Sequence, residues 1–145
     1  MTDKVFIGID YGERRIGLAR SDPTGLIASA YKTISFASIK KAIEEIVNDI
    51  AECRAVGVVV GYPVSPAGGK MGERCKMVDA FIARLEKKYA GPIYRIDERY
   101  SSKEAEEIIH MHGKRTGRKK GRIDKIAAAI ILQRFLDEYD QLKNI

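Results

Sequence analysis

The sequence contains few of the residues that mark disulfide-rich, zinc-binding or membrane proteins. Among its 145 residues are two cysteines, two histidines and no tryptophan. Cys53 and Cys75 lack CxxC spacing, which supports neither a disulfide framework nor a zinc site. His110 and His112 are two positions apart on a predicted helix, where their side chains diverge by about 200° and cannot share a metal. No apolar run reaches the roughly 20 residues of a membrane span.

The amino-terminal segment Met1-Thr2-Asp3-Lys4 leads directly into an apolar strand and has no signal-peptide h-region. We therefore expect a cytoplasmic protein without a membrane partner. A length of 145 residues, with 45% hydrophobic and 32% charged residues, is typical of one globular domain spanning residues 1–145. The sequence does not fix the oligomeric state.

The positive charge of the chain is concentrated in one segment. The formal net charge is +6, and residues 114–122 hold six cations and no acid, so the rest of the chain is balanced. These cations are Lys114, Arg115, Arg118, Lys119, Lys120 and Arg122. A concentrated excess favours a polyanionic partner such as nucleic acid. The alternative is a solvated basic loop without a function.

Three short strands are predicted at the start of the chain. Val5–Ile9 is a continuous apolar run, as in a strand buried on both faces, and Ile16–Ala19 and Leu26–Ile34 follow it. Parallel strands need connections of a dozen residues or more, so these three strands are expected to form an antiparallel meander.

Helices and strands alternate along the remainder. The predicted elements are a helix with Ile39, Ile43, Ile46 and Ile50 on one face, a strand Ala55–Val60, a helix with Val78, Phe81, Ile82 and Leu85, a strand Ile93–Ile96, a helix started by Ser101, and a helix Arg122–Tyr139. A meander followed by such crossovers predicts an α/β fold with a mixed five-stranded sheet flanked by helices.

Carboxylates stand where three of these elements begin or end. Asp10 closes the first strand, Glu98 closes the fifth with Asp97 beside it, and Asp124 opens the last helix. Sites in α/β sheets form at the carboxyl ends of parallel strands. Three gathered acids would make an oxygen-ligand site suited to Mg²⁺ and a phosphodiester. For Asp10 and Asp97 the alternative is ordinary turn chemistry.

Asp124 is predicted in the first turn of its helix, in line with Ala128, Ile131 and Phe135. This stripe faces the core, where an uncompensated carboxylate is costly. A metal or a hydrogen-bonded partner would remove that cost. Stabilisation of the helix N-terminus through its dipole is the alternative role.

Several segments together resemble the YqgF/RuvX family. The matching segments, in order, are Ile7-Gly8-Ile9-Asp10-Tyr11-Gly12, Arg15-Ile16-Gly17-Leu18-Ala19, Val60-Gly61-Tyr62-Pro63, Asp97-Glu98-Arg99-Tyr100-Ser101-Ser102 and the run from Asp124 to Gln133. Two departures from the family pattern are the loop after Pro63, which lacks the usual acid, and Tyr100-Ser101-Ser102, where members usually have Leu-Thr-Thr.

The resemblance implies a ribonuclease H-like fold related to Holliday junction resolvases. It implies a nuclease acting in maturation of the 5′ end of pre-16S rRNA, with a resolvase role proposed for some members. Carried over by motif, the catalytic and metal-binding acids would be Asp10, Glu98 and Asp124. Unlike the resolvase branch, the fourth strand ends without a carboxylate, so the second acid would come from the fifth strand.

The mechanism that we expect is phosphodiester hydrolysis assisted by one or two Mg²⁺ or Mn²⁺ ions. Asp97 could replace Glu98, because adjacent strand residues point to opposite faces. Arg14, Arg15 and Arg99 lie beside the acids in sequence and either contact the scissile region or balance the charge of those acids. The basic segment would hold phosphates of structured RNA, such as pre-rRNA, or of branched DNA.

Tyr11 and Tyr62 could stack on bases or serve in packing, which we favour. Two other functions compete with the nuclease. One is a nucleic-acid-binding module without catalysis. The other is a phosphotransferase, since actin-like ATPases and sugar kinases also open with a strand, an Asp-Gly turn and a strand. Those folds need two such domains, which 145 residues cannot hold.

Overall fold

The computed structural model describes residues 4–63, 71–97 and 119–143. Its elements are β1 (Phe6–Tyr11), β2 (Arg15–Ser21), β3 (Ala28–Ser35), α1 (Ile39–Cys53), β4 (Gly57–Tyr62), α2 (Met71–Glu86), β5 (Ile93–Asp97) and α3 (Lys119–Lys143). The five strands form one sheet in the order β3-β2-β1-β4-β5. β1, β2 and β3 pair antiparallel, whereas β4 pairs parallel with both β1 and β5. The predicted mixed sheet is confirmed.

One face of the sheet carries the larger core, against α1 and α2. The apolar stripe of α1 is buried as its periodicity predicts, with Ile46 fully buried. Phe81 and Leu85 of α2 close the same core over alternate residues of β1, including Ile7 and Ile9. Large side chains therefore fill the space between this face and its helices.

The opposite face carries α3 and has small residues at its centre. A Cβ added at Gly8 would lie 2.7 Å from Leu132 Cβ, and one added at Gly17 would lie 2.0 Å from the carbonyl oxygen of Asp124. Ala19 on the same face is fully buried against this helix. The helix backbone consequently approaches the sheet too closely to leave room for side chains at the two glycines.

The last helix begins earlier than the sequence indicates. It starts at Lys119 instead of Arg122, so Asp124 lies beyond the first turn, which contains no acid. The prediction that Asp124 belongs to the first turn is wrong, and the helix dipole falls off within that turn. Hydrophobic periodicity did not indicate that the helix starts at Lys119, because its first residues, Lys119-Lys120-Gly121-Arg122, are polar or glycine.

The third strand begins at Ala28 instead of Leu26. The carboxylate of Asp22 accepts hydrogen bonds from the backbone N–H groups of Leu26 and Ile27, at 3.0 and 2.9 Å. These bonds hold the two apolar residues in the connection between β2 and β3, where both are exposed.

Several predicted features lie outside the described residues. They are the helix started by Ser101, the acid Glu98, and the cations Arg99, Lys114, Arg115 and Arg118. Among the described helices, none has the length and apolarity to cross a membrane.

Candidate functional site

Asp10 lies on the α3 face of the sheet, near the carboxyl end of β1. It is directly opposite Gly17 in the antiparallel β1–β2 pair, and it has the same strand parity as Gly8, whose missing Cβ faces α3. Side chains of a directly opposed pair point to the same face. The half-buried Asp10 carboxylate is therefore directed to the side from which α3 packs.

Gly17 brings Asp124 to the same place. Its Cα approaches the α3 backbone so closely that an added Cβ would meet the carbonyl oxygen of Asp124 at 2.0 Å and its carbonyl carbon at 2.3 Å. Because Gly17 is the cross-strand partner of Asp10, the two acids lie on one face around this contact. Both are carboxylates, the hard oxygen donors that Mg²⁺ takes in proteins, so the donor chemistry of this pair fits the ion.

Arg15 is the partner of Asp124 in the structure. Arg15 Nε donates a hydrogen bond to Asp124 Oδ2 across 2.6 Å. The side chain of Asp124 is 20% exposed and that of Arg15 is 36% exposed. This contact supplies the hydrogen-bonded partner that a carboxylate on a core-facing stripe requires.

The β1–β2 hairpin fixes the position of Arg15. Gly12 N–H donates to the carbonyl oxygen of Arg15 across 3.0 Å, which closes a tight turn with Glu13 and Arg14 at its tip. A Cβ at Gly12 would lie 2.7 Å from that same oxygen. The turn places Arg14 at the exposed tip, while Arg15 begins β2 and bonds to Asp124.

A cavity of about 360 Å³ opens between this hairpin, α2 and Asp124. Among the described residues, its charged lining is formed by Glu13, Arg14, Arg15, Arg74 and Asp124. Its apolar wall includes Met77 and Val78. Three arginines at one cavity provide donors suited to phosphate groups.

Arg74 was not identified by sequence reasoning. It lies in the first turns of α2, three and four residues before Met77 and Val78. This spacing places it on the same helix face as the cavity wall. The spacing was a usable signal, but nothing in the sequence indicated that this end of α2 would meet the β1–β2 hairpin.

Asp97 lies on the other face. The strand alternates, and Arg95, two positions before Asp97, lies 5.8 Å from the centroid of the Tyr62 ring and 3.4 Å from Asp79 of α2. Asp97 therefore points to the same face of the sheet as Arg95. Tyr94 and Ile96 point to the opposite face, beside α3. The structure therefore does not bring Asp97 to the face of Asp10 and Asp124, although Arg134 of α3 donates to its backbone carbonyl oxygen.

Tyr11 and Tyr62 serve in packing. Tyr11 stacks on Phe81 with ring centroids 4.5 Å apart, and burial raises the pKa of its hydroxyl. The Tyr62 hydroxyl donates to Asp79 across 3.0 Å. That hydrogen bond, with burial and the neighbouring Cys75, raises the pKa of Tyr62 to about 12. The packing interpretation of both tyrosines is confirmed.

The described residues contain part of the predicted charged set. Within residues 4–63, 71–97 and 119–143, no group of three or more histidine, cysteine, aspartate or glutamate side chains could hold a metal ion. The third predicted acid, Glu98, lies outside them. Lys119, Lys120 and Arg122 belong to the first turns of α3, on the same helix as Asp124.

Comparison with protein families matches residues 4–138 to a family model described as "RuvX: Holliday junction resolvase". A protein of Synechococcus elongatus named "Putative pre-16S rRNA nuclease" is 42% identical over 135 residues, which are 91% of this chain and 88% of that protein. A protein of Syntrophus aciditrophicus with the same name is 37% identical over 137 residues, 94% of this chain and 91% of the relative.

Solved structures show the same fold. RuvC of Thermus thermophilus, in complex with a Holliday junction substrate, superposes with a TM-score of 0.59 at 15% identity, covering 94% of this chain and 95% of RuvC. The yeast mitochondrial Holliday junction resolvase Ydc2 superposes with a TM-score of 0.61 at 10% identity, covering 99% and 82%. The ribonuclease H-like fold class is thereby confirmed.

Proposed function

This chain belongs to the RuvX family, and on that premise we propose that it is a metal-dependent nuclease that hydrolyses phosphodiester bonds in structured RNA. The proposed role is processing of the 5′ end of pre-16S rRNA, the substrate in the names of its curated relatives. A second candidate is cleavage of four-way DNA junctions, which the description of the family favours.

The observation that carries the proposal is the approach of Asp124 to the partner strand of Asp10. Two carboxylates from segments far apart in sequence share one face because Gly17 has no side chain. Asp124 also lines the cavity that Arg14, Arg15 and Arg74 line. Carboxylates that can bind a metal ion, next to arginines that can bind phosphate, suit the hydrolysis of a phosphodiester.

We assign the third ligand to Glu98 in preference to Asp97. On β5 the even-numbered residues Tyr94 and Ile96 pack beside α3, and Glu98 continues the even series in the sequence. Asp97 belongs to the odd series, which includes Arg95 beside α2. The proposed ligand set for Mg²⁺ or Mn²⁺ is therefore Asp10, Glu98 and Asp124.

The residues of the chain have separate roles in this proposal. Bound Mg²⁺ supplies activation of water and stabilisation of negative charge on the phosphodiester oxygens. Arginines at the cavity orient the scissile region, because a guanidinium binds phosphate through two parallel N–H groups. The proposed nucleic-acid contacts are Arg14, Arg15, Arg74, Arg99, Lys114, Arg115, Arg118, Lys119, Lys120 and Arg122. Their affinity for nucleic acid is expected to fall steeply with salt and to depend little on sequence.

The test compares cleavage of three labelled substrates by the full chain: a 5′-extended 16S precursor RNA, a four-way DNA junction and a linear DNA duplex. Each is incubated with Mg²⁺, Mn²⁺ or EDTA. Asp10→Asn is expected to reduce the rate about 10³-fold or more, since loss of a catalytic group has effects of that order. Glu138→Gln, which removes an exposed carboxylate near the other end of α3, is the matched control and should retain the wild-type rate.

The three substrates also separate the alternatives. Metal-dependent cleavage of the precursor RNA that exceeds junction cleavage supports the proposed role. Preferred cleavage of the junction would transfer the assignment to the resolvase. Tight binding of all substrates with no cleavage in either metal would contradict the nuclease and favour the binding module.

A further inference from the structure

Asp124, a proposed metal ligand, forms an ion pair with Arg15 of the same chain. Arg15 Nε lies 2.6 Å from Asp124 Oδ2, within the range of charge-assisted hydrogen bonds. An arginine side chain does not lose its proton at accessible pH. A divalent cation that binds Asp124 therefore has to compete with a permanent positive charge beside the same carboxylate.

The pair has the features of an exchangeable contact. The hydrogen bond joins one guanidinium nitrogen, Nε, to one carboxylate oxygen, unlike the stronger bidentate fork of arginine and carboxylate. The Arg15 side chain is 36% exposed, so its guanidinium can leave the pair and be solvated by water. A metal ion that takes its place keeps the Asp124 carboxylate compensated, so the exchange leaves no partly buried charge without a partner.

The cavity provides a second location for the guanidinium. Arg15 lines it together with Arg14 and Arg74. A phosphate group in the cavity would bring negative charge beside all three arginines. Arg15 can therefore take either of two anionic partners, the carboxylate of Asp124 or a phosphate of the substrate.

We propose that Arg15 exchanges between these partners: it neutralises Asp124 in the metal-free protein and binds a substrate phosphate once a metal ion takes its place. This inference rests on the proposed function, since it requires Asp124 to be a metal ligand. Its consequence is positive coupling. Metal binding releases Arg15 for the nucleic acid, and by linkage the nucleic acid strengthens metal binding by the same factor.

The first experiment measures Mn²⁺ affinity of the full chain by titration calorimetry. Arg15→Gln is expected to bind Mn²⁺ about tenfold more tightly than wild type, equivalent to 1.4 kcal/mol, because Asp124 no longer has a competing cation. The matched variant Arg14→Gln removes the same charge from the same cavity, and we expect it to change the affinity less than twofold. Arg15→Lys retains the charge and should lie between wild type and Arg15→Gln.

The outcomes separate exchange from a fixed structural role. Weaker Mn²⁺ binding by Arg15→Gln would mean that Arg15 positions Asp124, and equal tightening by Arg14→Gln would mean a general charge effect; either result overturns the exchange. A wild-type chain that binds no Mn²⁺ would overturn the proposed metal dependence as well. Mn²⁺ binding by wild type that Arg15→Gln leaves unaltered overturns the exchange alone.

The second experiment measures the predicted coupling by fluorescence anisotropy with a labelled RNA hairpin, in EDTA and in Ca²⁺. The readout for each protein is the ratio of its RNA affinity in Ca²⁺ to its RNA affinity in EDTA, because Arg15 is engaged by Asp124 until a metal ion binds. Addition of Ca²⁺ should strengthen binding by wild type several times more than binding by Arg15→Gln. The same gain in both proteins would contradict the coupling, and circular dichroism melting in EDTA verifies that each variant is folded.

Discussion

The two faces of the sheet are packed in opposite ways. Towards α1 and α2 the strands present large side chains, such as Ile7, Ile9 and Leu18, that meet Phe81 and Leu85. Towards α3 they present Gly8, Gly17 and Ala19, and the helix backbone itself approaches the sheet. The first face is stabilised by buried apolar volume. On the second face the helix backbone packs directly against the sheet, and this face carries both Asp10 and Asp124.

This difference explains how one domain combines a stable core with a charged site. Burial of a carboxylate without a partner is costly on either face, and beside the large core the buried Asp49 is paired with Lys32. On the α3 face the close approach brings Asp124 within reach of Arg15 at 2.6 Å. The distance between Arg15 and Asp124 is therefore set by the close approach of the α3 backbone to the sheet, and not by apolar side chains packed between them.

The face of the sheet that packs against α1 and α2 is called the large face below. Truncation of a large side chain in its core should have the greatest effect on stability. Phe81 is 1% exposed and stacks on Tyr11, so Phe81→Ala is expected to lower the free energy of unfolding by about 3–5 kcal/mol. Phe81→Leu keeps most of the apolar volume and should cost about 1 kcal/mol. Urea unfolding followed by circular dichroism measures both. Equal costs for the two variants would contradict the view that volume stabilises this face.

The second largest effect is expected from adding a side chain on the face of the sheet that packs against α3, called the close face below. Gly17→Ala places a Cβ 2.0 Å from the carbonyl oxygen of Asp124, and the helix must move to accept it. We expect a loss of about 3 kcal/mol, at the upper end of the range for overpacking, together with weaker Mn²⁺ binding because Asp124 moves away from Asp10. The same calorimetric titration and urea unfolding measure the two effects.

Gly72 provides the matched control for Gly17. It lies on α2, and a Cβ added there would have no neighbour within 4 Å among the residues that the structure describes. Gly72→Ala should stabilise the protein slightly, by up to about 1 kcal/mol, since alanine is the better helix former. A Gly17→Ala variant as stable as Gly72→Ala would show that α3 does not pack as closely as the structure indicates.

The sequence predicted the large face well and the close face in part. Hydrophobic periodicity identified Ile46 and Phe81 as core residues, because apolar side chains on one helix face have to be buried. It also placed Asp124 on a core-facing stripe. It could not indicate the role of Gly17, since close approach depends on where a helix docks. The partnership of Arg15 and Asp124, 109 positions apart, had no local signal for the same reason.

The smallest predicted contrast concerns how each face holds the edge strand β3. On the α1 side, Lys32 Nζ lies 2.7 Å from Asp49 Oδ2 and 2.9 Å from Glu45 Oε2. On the α3 side the neutral amide of Gln133 receives the N–H of Ala28 and donates to the carbonyl oxygen of Leu26, both at 2.9 Å. Ion pairs thus hold β3 on the α1 side, and neutral hydrogen bonds hold it on the α3 side. The two contributions to stability should therefore depend differently on pH.

Burial alone would lower the pKa of Lys32, but hydrogen bonds and attraction from Asp49 and Glu45 outweigh it and raise that pKa above its ordinary value. A raised lysine pKa contributes stability that is fully present below the unfolded-state value of about 10.4 and is lost as pH rises through the folded-state value. At pH 7, Lys32→Met should cost about 2–3 kcal/mol, because it leaves the buried Asp49 carboxylate without its cation, and Gln133→Leu about 1–2 kcal/mol. Above about pH 10.4 the cost of Lys32→Met should shrink, whereas that of Gln133→Leu should stay constant, because the amide does not titrate. Urea unfolding of wild type and both variants between pH 7 and pH 11 measures the two curves; parallel curves would mean that both faces hold the edge strand by neutral contacts.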